Sequence, residues 1–109
     1  MNIIILCNHP LALPTIQALA EAKLLRSIAT TNNRPDFQFK INPLIQHYQL
    51  PFLQLTQNNW QKRLTSTIKN QRIDVVFVLT FKYKIPAKLL NLPKWGFINF
   101  HPGPLPQYR

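Results

Sequence analysis

Apolar residues along this chain occur in two patterns, short continuous runs and runs with helical spacing. The densest continuous runs, Asn2–Cys7 and Asp74–Thr80, have the length of strands and predict strands covered on both faces. Other β-like segments predict shorter strands at Ser27–Thr31, Phe52–Leu55 and Phe97–His101. Helical spacing, or a proline suited to a first turn, predicts helices at Leu13–Leu24, Asn42–Tyr48, Asn58–Asn70 and Pro86–Leu92.

The residues between these segments support the predicted boundaries. Asn32–Asp36 has the composition of a turn. The ten prolines are expected at the edges of elements, including Pro43 near the start of the second helix. In the third helix Trp60, Leu64 and Ile68 recur every four residues, which predicts one buried face.

The alternation of strands and helices predicts an α/β fold. We expect a single domain over residues 1–109 with a Rossmann-like, doubly wound and mostly parallel sheet of about five strands. In such sheets ligands bind beyond the carboxyl ends of the strands. We therefore expect the functional site among Cys7–Pro10, Leu79–Tyr83 and Asn99–Pro102.

Charge adds one constraint to this picture. The chain has 13 Lys and Arg residues against 3 Asp and Glu residues, a formal net charge of +10. This balance favours contact with polyanions such as nucleic acid or a phosphorylated ligand, although the charges are dispersed and a general compositional bias explains them equally well. The small number of carboxylate side chains disfavours a paired-carboxylate mechanism. No residues stand at metal-ligand spacing, so no metal is expected.

Several classes of protein are disfavoured by what the chain lacks. The single cysteine, Cys7, lies in an apolar run and is expected to be a buried hydrophobe in a protein of the reducing cytoplasm. No segment has the length of a membrane helix or the features of a secretory signal. The first strand is followed by Asn8, His9 and Pro10 without a glycine, which disfavours a nicotinamide or flavin site. We interpret His9 as a loop residue without a catalytic role.

Asn99 and His101 form the pair with the clearest chemistry. Side chains at i and i+2 of a strand share a face, so both are expected to project from the last strand, with Ile98 and Phe100 packed on the opposite face. An Asn amide donates a hydrogen bond without charge, and a His moves protons near neutral pH. Together they suit a carbonyl that becomes an oxyanion during acyl transfer. A purely structural role for both side chains fits the spacing equally well.

The wider context of this pair resembles one family. Residues 74–109, DVVFVLTFKYKIPAKLLNLPKWGFINFHPGPLPQYR, are similar to the folate-dependent formyltransferases of methionyl-tRNA, glycinamide ribonucleotide and amino sugars. The resemblance is specific over this last third of the chain and general before it. The shared elements after the hydrophobic strand are Ile85-Pro86, a short Leu-rich helix, Leu92-Pro93, Gly96, Ile98-Asn99, His101 and Leu105-Pro106-x-Tyr108-Arg109.

The resemblance implies transfer of a formyl group from the co-substrate N10-formyltetrahydrofolate to a primary amine. It implies catalytic roles for Asn99, which would hold the formyl oxygen, and His101, which would stabilise the oxyanion or move a proton. The residues implied to cradle the pteridine ring are Phe81, Lys82, Tyr83, Lys84 and Ile85. The residues implied for the acceptor-side loop, where the family commonly has Ser-Leu-Leu-Pro, are Pro102, Gly103, Pro104, Leu105 and Pro106.

The resemblance also implies a truncated domain, because the family's catalytic Asp lies downstream of position 109. Residues 1–109 would then be the N-terminal part of a formyltransferase catalytic domain with impaired activity. Alternative hypotheses are a non-catalytic module that binds folate or an anion, and one half of a split enzyme completed by a C-terminal polypeptide. Nucleic-acid binding through charge is a further hypothesis, although no recognition motif is present. A tRNA acceptor fits the positive charge and a nucleotide sugar fits it too, so the acceptor stays open.

Overall fold

The computed structural model describes residues 1–100, which form a five-stranded parallel sheet between two layers of helices. The strands are β1 (Ile3–Leu6), β2 (Leu25–Thr30), β3 (Phe52–Gln54), β4 (Val75–Val78) and β5 (Phe97–Asn99). The helices are α1 (Leu13–Glu21), α2 (Pro35–Tyr48), α3 (Trp60–Asn70) and α4 (Ala87–Leu90), with a 3-10 turn at Pro10–Ala12. The predicted α/β class and Rossmann-like sheet are confirmed.

The order of the strands in the sheet is β3-β2-β1-β4-β5, and every pair is parallel. The chain first builds outward from β1 to β3 and then crosses back to add β4 and β5 on the other side of β1. The connections that follow β1 and β4 therefore leave the sheet in opposite directions. This reversal opens a crevice at the carboxyl ends of the two strands, which is where ligands bind in sheets of this kind.

The core occupies both faces of the sheet, and β1 contributes to each. Ile3 and Ile5 pack with the layer of α1 and α2, whereas Ile4 and Leu6 pack with the layer of α3 and α4. All four side chains are buried, which explains why the strand reads as one continuous apolar run. Cys7 is fully buried in the first layer, which confirms its interpretation as a small hydrophobe, and this burial raises the pKa of its thiol to about 12.

Helix α3 has the buried face that its spacing predicts. Trp60, Leu64 and Ile68 are all buried against the sheet, and the residues between them are largely exposed. Burying a large apolar side chain contributes about 1.5–3 kcal/mol, so this face anchors α3 firmly. Among the described residues, no helix has the length and apolar character needed to cross a membrane.

Helix α2 corrects two predictions. It begins at Pro35 and not at Asn42, so the end of the predicted turn is already helical, and Pro43 lies inside the helix and not near its start. Pro35 is suited to the first turn because its missing N–H would have no partner there. Pro43 cannot bond to the carbonyl of Phe39, but both residues are exposed on the solvent side of the helix, where water can satisfy that carbonyl.

The three helices α1, α2 and α3 end in the same way. In each, a non-glycine residue adopts a left-handed backbone conformation with φ between 53° and 62°. The next residue, an apolar one, donates its N–H to a carbonyl five residues earlier, the pattern of a Schellman turn. The left-handed residues are Lys23, Gln49 and Arg72, and the apolar residues that follow them are Leu24, Leu50 and Ile73.

Strand β5 corrects a third prediction. It ends at Asn99, and Ile98 and Phe100 are 44% and 41% exposed, so they are not packed as the strand pattern suggested. The Phe100 ring does contact Phe77, with ring centroids 4.9 Å apart. Because β5 is the outermost strand of the described sheet and pairs only with β4, its side chains have neighbours on one side only.

Candidate functional site

A network of hydrogen bonds around Asn8 joins the carboxyl ends of β1, β2 and β4. The Asn8 Oδ1 atom accepts from the Thr30 hydroxyl and from the Thr31 N–H, both at 2.8 Å. The Asn8 Nδ2 atom donates to the Thr31 hydroxyl at 2.7 Å, and the Asn8 N–H donates to the Thr80 hydroxyl oxygen at 2.7 Å. Asn32 Nδ2 donates to the Asn8 carbonyl at 2.8 Å. Three strand ends are therefore held in a fixed relative position.

The loop after β4, residues 81–85, is anchored by an aromatic cluster. The Tyr83 ring stacks on the Trp60 indole with centroids 5.5 Å apart and an interplanar angle of 10°. The Phe81 ring meets the same indole edge-on at 5.3 Å. Such pairs add about 0.5–1.5 kcal/mol beyond the burial of their area. The Lys82 Nζ atom lies 5.7 Å from the centroid of the Tyr83 ring. The start of α3 therefore fixes the shape of this loop.

A cavity of about 570 Å³ lies between this loop and β5. Its apolar wall is formed by Val78, Leu79, Ile85, Leu90 and Phe97. Its polar groups are Thr80, Lys84 and Asn99. The structure thus brings together Asn99 and four of the five residues predicted to cradle a pteridine, namely Phe81, Tyr83, Lys84 and Ile85, while Lys82 does not line the cavity.

Asn99 reaches this cavity because of its place on β5. It pairs with Val78, and it shares a face with Phe97, which packs on the layer of α3 and α4. The next residue, Phe100, donates its N–H to the Val78 carbonyl at 2.9 Å, which holds the end of the strand to β4. His101 and the predicted acceptor-side loop, Pro102, Gly103, Pro104, Leu105 and Pro106, lie outside the described residues, so their roles stay predictions.

A smaller cavity of about 220 Å³ lies on the other face of the sheet, beside the turn that follows β1. His9, Ala12 and Thr15 contribute one wall. The opposite wall is formed by Leu79, Thr80 and Phe100, which also line the larger cavity. The two cavities therefore share a wall at the end of β4. Residues 1–100 contain no group of three or more His, Cys, Asp or Glu side chains that could hold a metal ion.

Sequence patterns did not predict the parts of the site that depend on strand order. The Asn8 network and the anchoring of the loop by Trp60 were not predicted. A signal for the network was present, because polar residues follow three apolar strands at Asn8, Thr31 and Thr80. Only the order β2-β1-β4 makes these three positions neighbours.

Comparison with known proteins finds formyltransferases of similar sequence. No family model matches the chain. The methionyl-tRNA formyltransferase of Clostridium botulinum is 26% identical over 115 residues, covering the whole of this chain and 37% of the relative. That of Syntrophomonas wolfei is 29% identical over 118 residues with the same coverage. Along its whole length, the chain is similar to methionyl-tRNA formyltransferases.

Solved structures of two formyltransferases have the same fold as this chain. The phosphoribosylglycinamide formyltransferase of Anaplasma phagocytophilum matches with a TM-score of 0.73 and 18% identity, covering all of this chain and 53% of that one. The glycinamide ribonucleotide transformylase 1 of Symbiobacterium toebii matches with a TM-score of 0.73 and 12% identity, covering 97% and 53%. The domain spans about 37% of the length of the curated relatives that it matches.

Proposed function

We propose that this domain binds formyltetrahydrofolate in the larger cavity and takes part in transfer of the formyl group to a primary amine. The observation that carries the proposal is the convergence of Asn99 and loop 81–85 on one cavity. Sequence similarity supports the reaction class, since the similar proteins named above are formyltransferases. Residues 1–109 would form the N-terminal part of the catalytic domain.

Three properties of the cavity support the proposal of a folate ligand. Its volume of about 570 Å³ falls within the range of small-molecule sites. The apolar wall suits the flat face of a pteridine ring, and the Lys84 ammonium suits the carboxylates of a glutamate tail. Because the Trp60 cluster holds the loop in shape, little conformational entropy is lost when a ring enters.

Asn99 has the position of an oxyanion donor. Bound formyltetrahydrofolate supplies a formyl carbon whose carbonyl oxygen gains negative charge when an amine attacks it. Asn99 lines the cavity, and its side-chain amide can donate a hydrogen bond without carrying charge. A donor at this position would stabilise the developing negative charge. His101, two residues further along, is proposed to move the proton that the amine releases.

The first experiment measures folate binding by the 109-residue chain. Titration with 5-formyltetrahydrofolate, followed by calorimetry, is expected to give saturable binding. Lys84→Ala is expected to weaken it several-fold, because a charge-assisted contact is lost. Lys94→Ala is the matched control, since the Lys94 Nζ atom lies 5.3 Å from the Trp95 ring centroid and does not line the cavity. Absence of binding, or equal weakening by both variants, would contradict the proposed site.

The second experiment separates an enzyme from a binding module. Formyl transfer from 10-formyltetrahydrofolate to amine acceptors is measured for the chain alone and together with a polypeptide matching the remainder of its relatives. Where turnover occurs, Asn99→Ala is expected to lower kcat by about 10²-fold, with folate affinity almost unchanged. Asn58→Ala, an exposed position away from the cavity, is the control. Folate binding without turnover under both conditions would support the non-catalytic module instead.

A further inference from the structure

Strand β2 has a bulge at Arg26. Ile3 of β1 lies opposite Leu25 and Ile4 lies opposite Ser27, so Arg26 is an extra residue without a counterpart on β1. Bulges are rare between parallel strands, and they turn a side chain away from the direction that regular alternation gives it. This bulge lies at the amino end of the sheet, which is the end opposite to the two cavities described above.

The guanidinium of Arg26 is held in place by Asn2. Arg26 Nε donates to Asn2 Oδ1 at 2.8 Å. Asn2 is itself fixed, because its Nδ2 atom donates to the carbonyls of Gln71 and Arg72 at 3.2 and 3.1 Å. The Asn2 N–H donates to a carboxylate oxygen of Asp74 at 2.8 Å. A guanidinium has five N–H donors in one plane, so the bond from Nε leaves four on the two Nη atoms.

A third cavity, of about 560 Å³, lies beside this guanidinium, and we call it the amino-end cavity. Its volume falls within the range of small-molecule sites. The Tyr48 hydroxyl donates to Glu21 Oε2 at 2.7 Å, which fixes the Tyr48 ring. The residues that line the cavity are Asn2, Leu25, Arg26, Tyr48, Gln49, Leu50, Pro51 and Gln71.

This lining defines the chemistry of a ligand. Among the described residues, Arg26 is the only charged one that lines the cavity, and a single positive charge matches a monoanion. A planar guanidinium can bind both oxygens of a carboxylate at once. Tyr48, Leu50 and Pro51 supply a wall for an apolar or aromatic body. The Glu21 carboxylate, hydrogen-bonded to Tyr48, would repel a dianion such as a phosphate monoester more strongly than a monoanion.

We propose that the amino-end cavity binds a small organic carboxylate. The two carboxylate oxygens accept hydrogen bonds from the Nη atoms of Arg26, and the apolar body lies against Tyr48, Leu50 and Pro51. The bulge and the bond to Asn2 orient the guanidinium before the ligand arrives, which lowers the entropy lost on binding. The inference does not depend on the proposed function, because the cavity for the folate lies at the carboxyl ends of the strands.

Titration of the isotopically labelled 109-residue chain with benzoate, followed by nuclear magnetic resonance, tests the inference. Benzoate is expected to cause saturable shifts in the amide signals of Arg26, Gln49 and Leu50. Benzamide has nearly the same shape without the charge and is expected to bind about tenfold more weakly. Acetate, which lacks the ring, is expected to bind about threefold more weakly or less tightly still. Shifts spread over the lysines of α3 would indicate only general attraction to a chain of net charge +10 and would overturn the inference.

Two variants of Arg26 separate its charge from its planar shape. Arg26→Gln keeps a side-chain N–H group but loses the charge, and it is expected to weaken benzoate binding about tenfold. Arg26→Lys keeps the charge but cannot bind both oxygens in one plane, and it is expected to weaken binding about threefold. Arg34→Gln is the matched control, since Arg34 pairs with Asp36 at 3.5 Å and does not line the cavity, and it is expected to bind as the wild type does.

Each result supports or overturns one part of the inference. Because Arg26 is exposed, both of its variants are expected to keep the amide spectrum of the buried strand β1, which separates lost binding from unfolding. Wild-type affinity in Arg26→Gln, or equal weakening by Arg34→Gln, would overturn the site. Wild-type affinity in Arg26→Lys would overturn the two-oxygen contact. Tighter binding of phenyl phosphate than of benzoate would overturn the assignment of a carboxylate ligand.

Discussion

Replacing Asn8 by alanine removes three side-chain hydrogen bonds at the carboxyl ends of β1 and β2. Two of them run from the Thr30 hydroxyl and the Thr31 N–H to the Asn8 Oδ1 atom. The third runs from Asn8 Nδ2 to the Thr31 hydroxyl oxygen. Thr30 is fully buried, so its hydroxyl donor would lose its partner where water does not reach it.

The expected loss follows from these three bonds. Each contributes about 0.5–1.5 kcal/mol net, and a buried donor left without a partner costs about 1–3 kcal/mol. Asn8→Ala is therefore expected to lower the free energy of unfolding by about 2–4 kcal/mol. That is a large share of the about 5–15 kcal/mol that typically stabilises a domain. Asn8→Asp retains both acceptor interactions and is expected to lose less than about 1 kcal/mol.

Urea unfolding followed by circular dichroism measures these differences. A double-mutant cycle that combines Asn8→Ala with Thr30→Val isolates the contact between the two side chains, with an expected coupling of about 1 kcal/mol. The valine replaces the Thr30 hydroxyl by a methyl group of similar volume. It also removes the acceptor of the Asn32 N–H, an effect that is present with and without Asn8 and therefore cancels in the cycle. A loss below about 0.5 kcal/mol for Asn8→Ala, or a coupling near zero, would refute the view that this network holds the strand ends together.

Two further predictions concern stability. Because burial raises the pKa of the Cys7 thiol from 9.0 to about 12, the unfolded state ionises first. The stability of the wild type relative to Cys7→Ala is expected to be constant below pH 9 and to fall by about 1.4 kcal/mol per pH unit above it. Urea unfolding of both proteins between pH 7 and 10.5 measures this. A difference in the free energy of unfolding that stays constant over this range would contradict the prediction. Lys23→Gly relieves a backbone φ of 62° and is expected to raise the free energy of unfolding by about 0.5–1 kcal/mol, whereas Lys62→Gly inside α3 lowers it by about 1 kcal/mol. Equal destabilisation by both substitutions in thermal unfolding would count against the assigned strain.

The parts of the fold that sequence predicts are those set by local patterns. The continuous apolar run of β1 reflects burial on both faces of the sheet, and the four-residue spacing of Trp60, Leu64 and Ile68 reflects one buried face of a helix. The structure confirms both. Helix α2 was predicted too short because a proline at position 43 normally marks a boundary. Its position on the solvent side removes most of that penalty, and which side faces solvent depends on tertiary packing.

The arrangement of the candidate site was predictable only where it follows from a general rule for parallel sheets. The rule that ligands bind at the carboxyl ends of parallel strands placed Asn99 and the loop after β4 at one edge of the sheet, and both line the larger cavity. Their functional roles stay predictions. The partners of Asn8 and the cavity beside His9 were not predictable, because they require knowing that β1 lies between β2 and β4. Strand order depends on contacts distant in sequence, and no short motif encodes it.

The central position of β1 also constrains how the chain acquires its structure during synthesis. The Asn2 N–H donates to an oxygen of Asp74, and the Asn8 N–H to Thr80, each 72 residues away. A ribosome therefore releases β1 long before its second neighbour exists. Until β4 emerges, one edge of β1 has no partner, and exposed strand edges invite aggregation. Strand β1 has both of its neighbours only after β4 has emerged, which makes the interval before Val78 the period in which a chaperone would protect it.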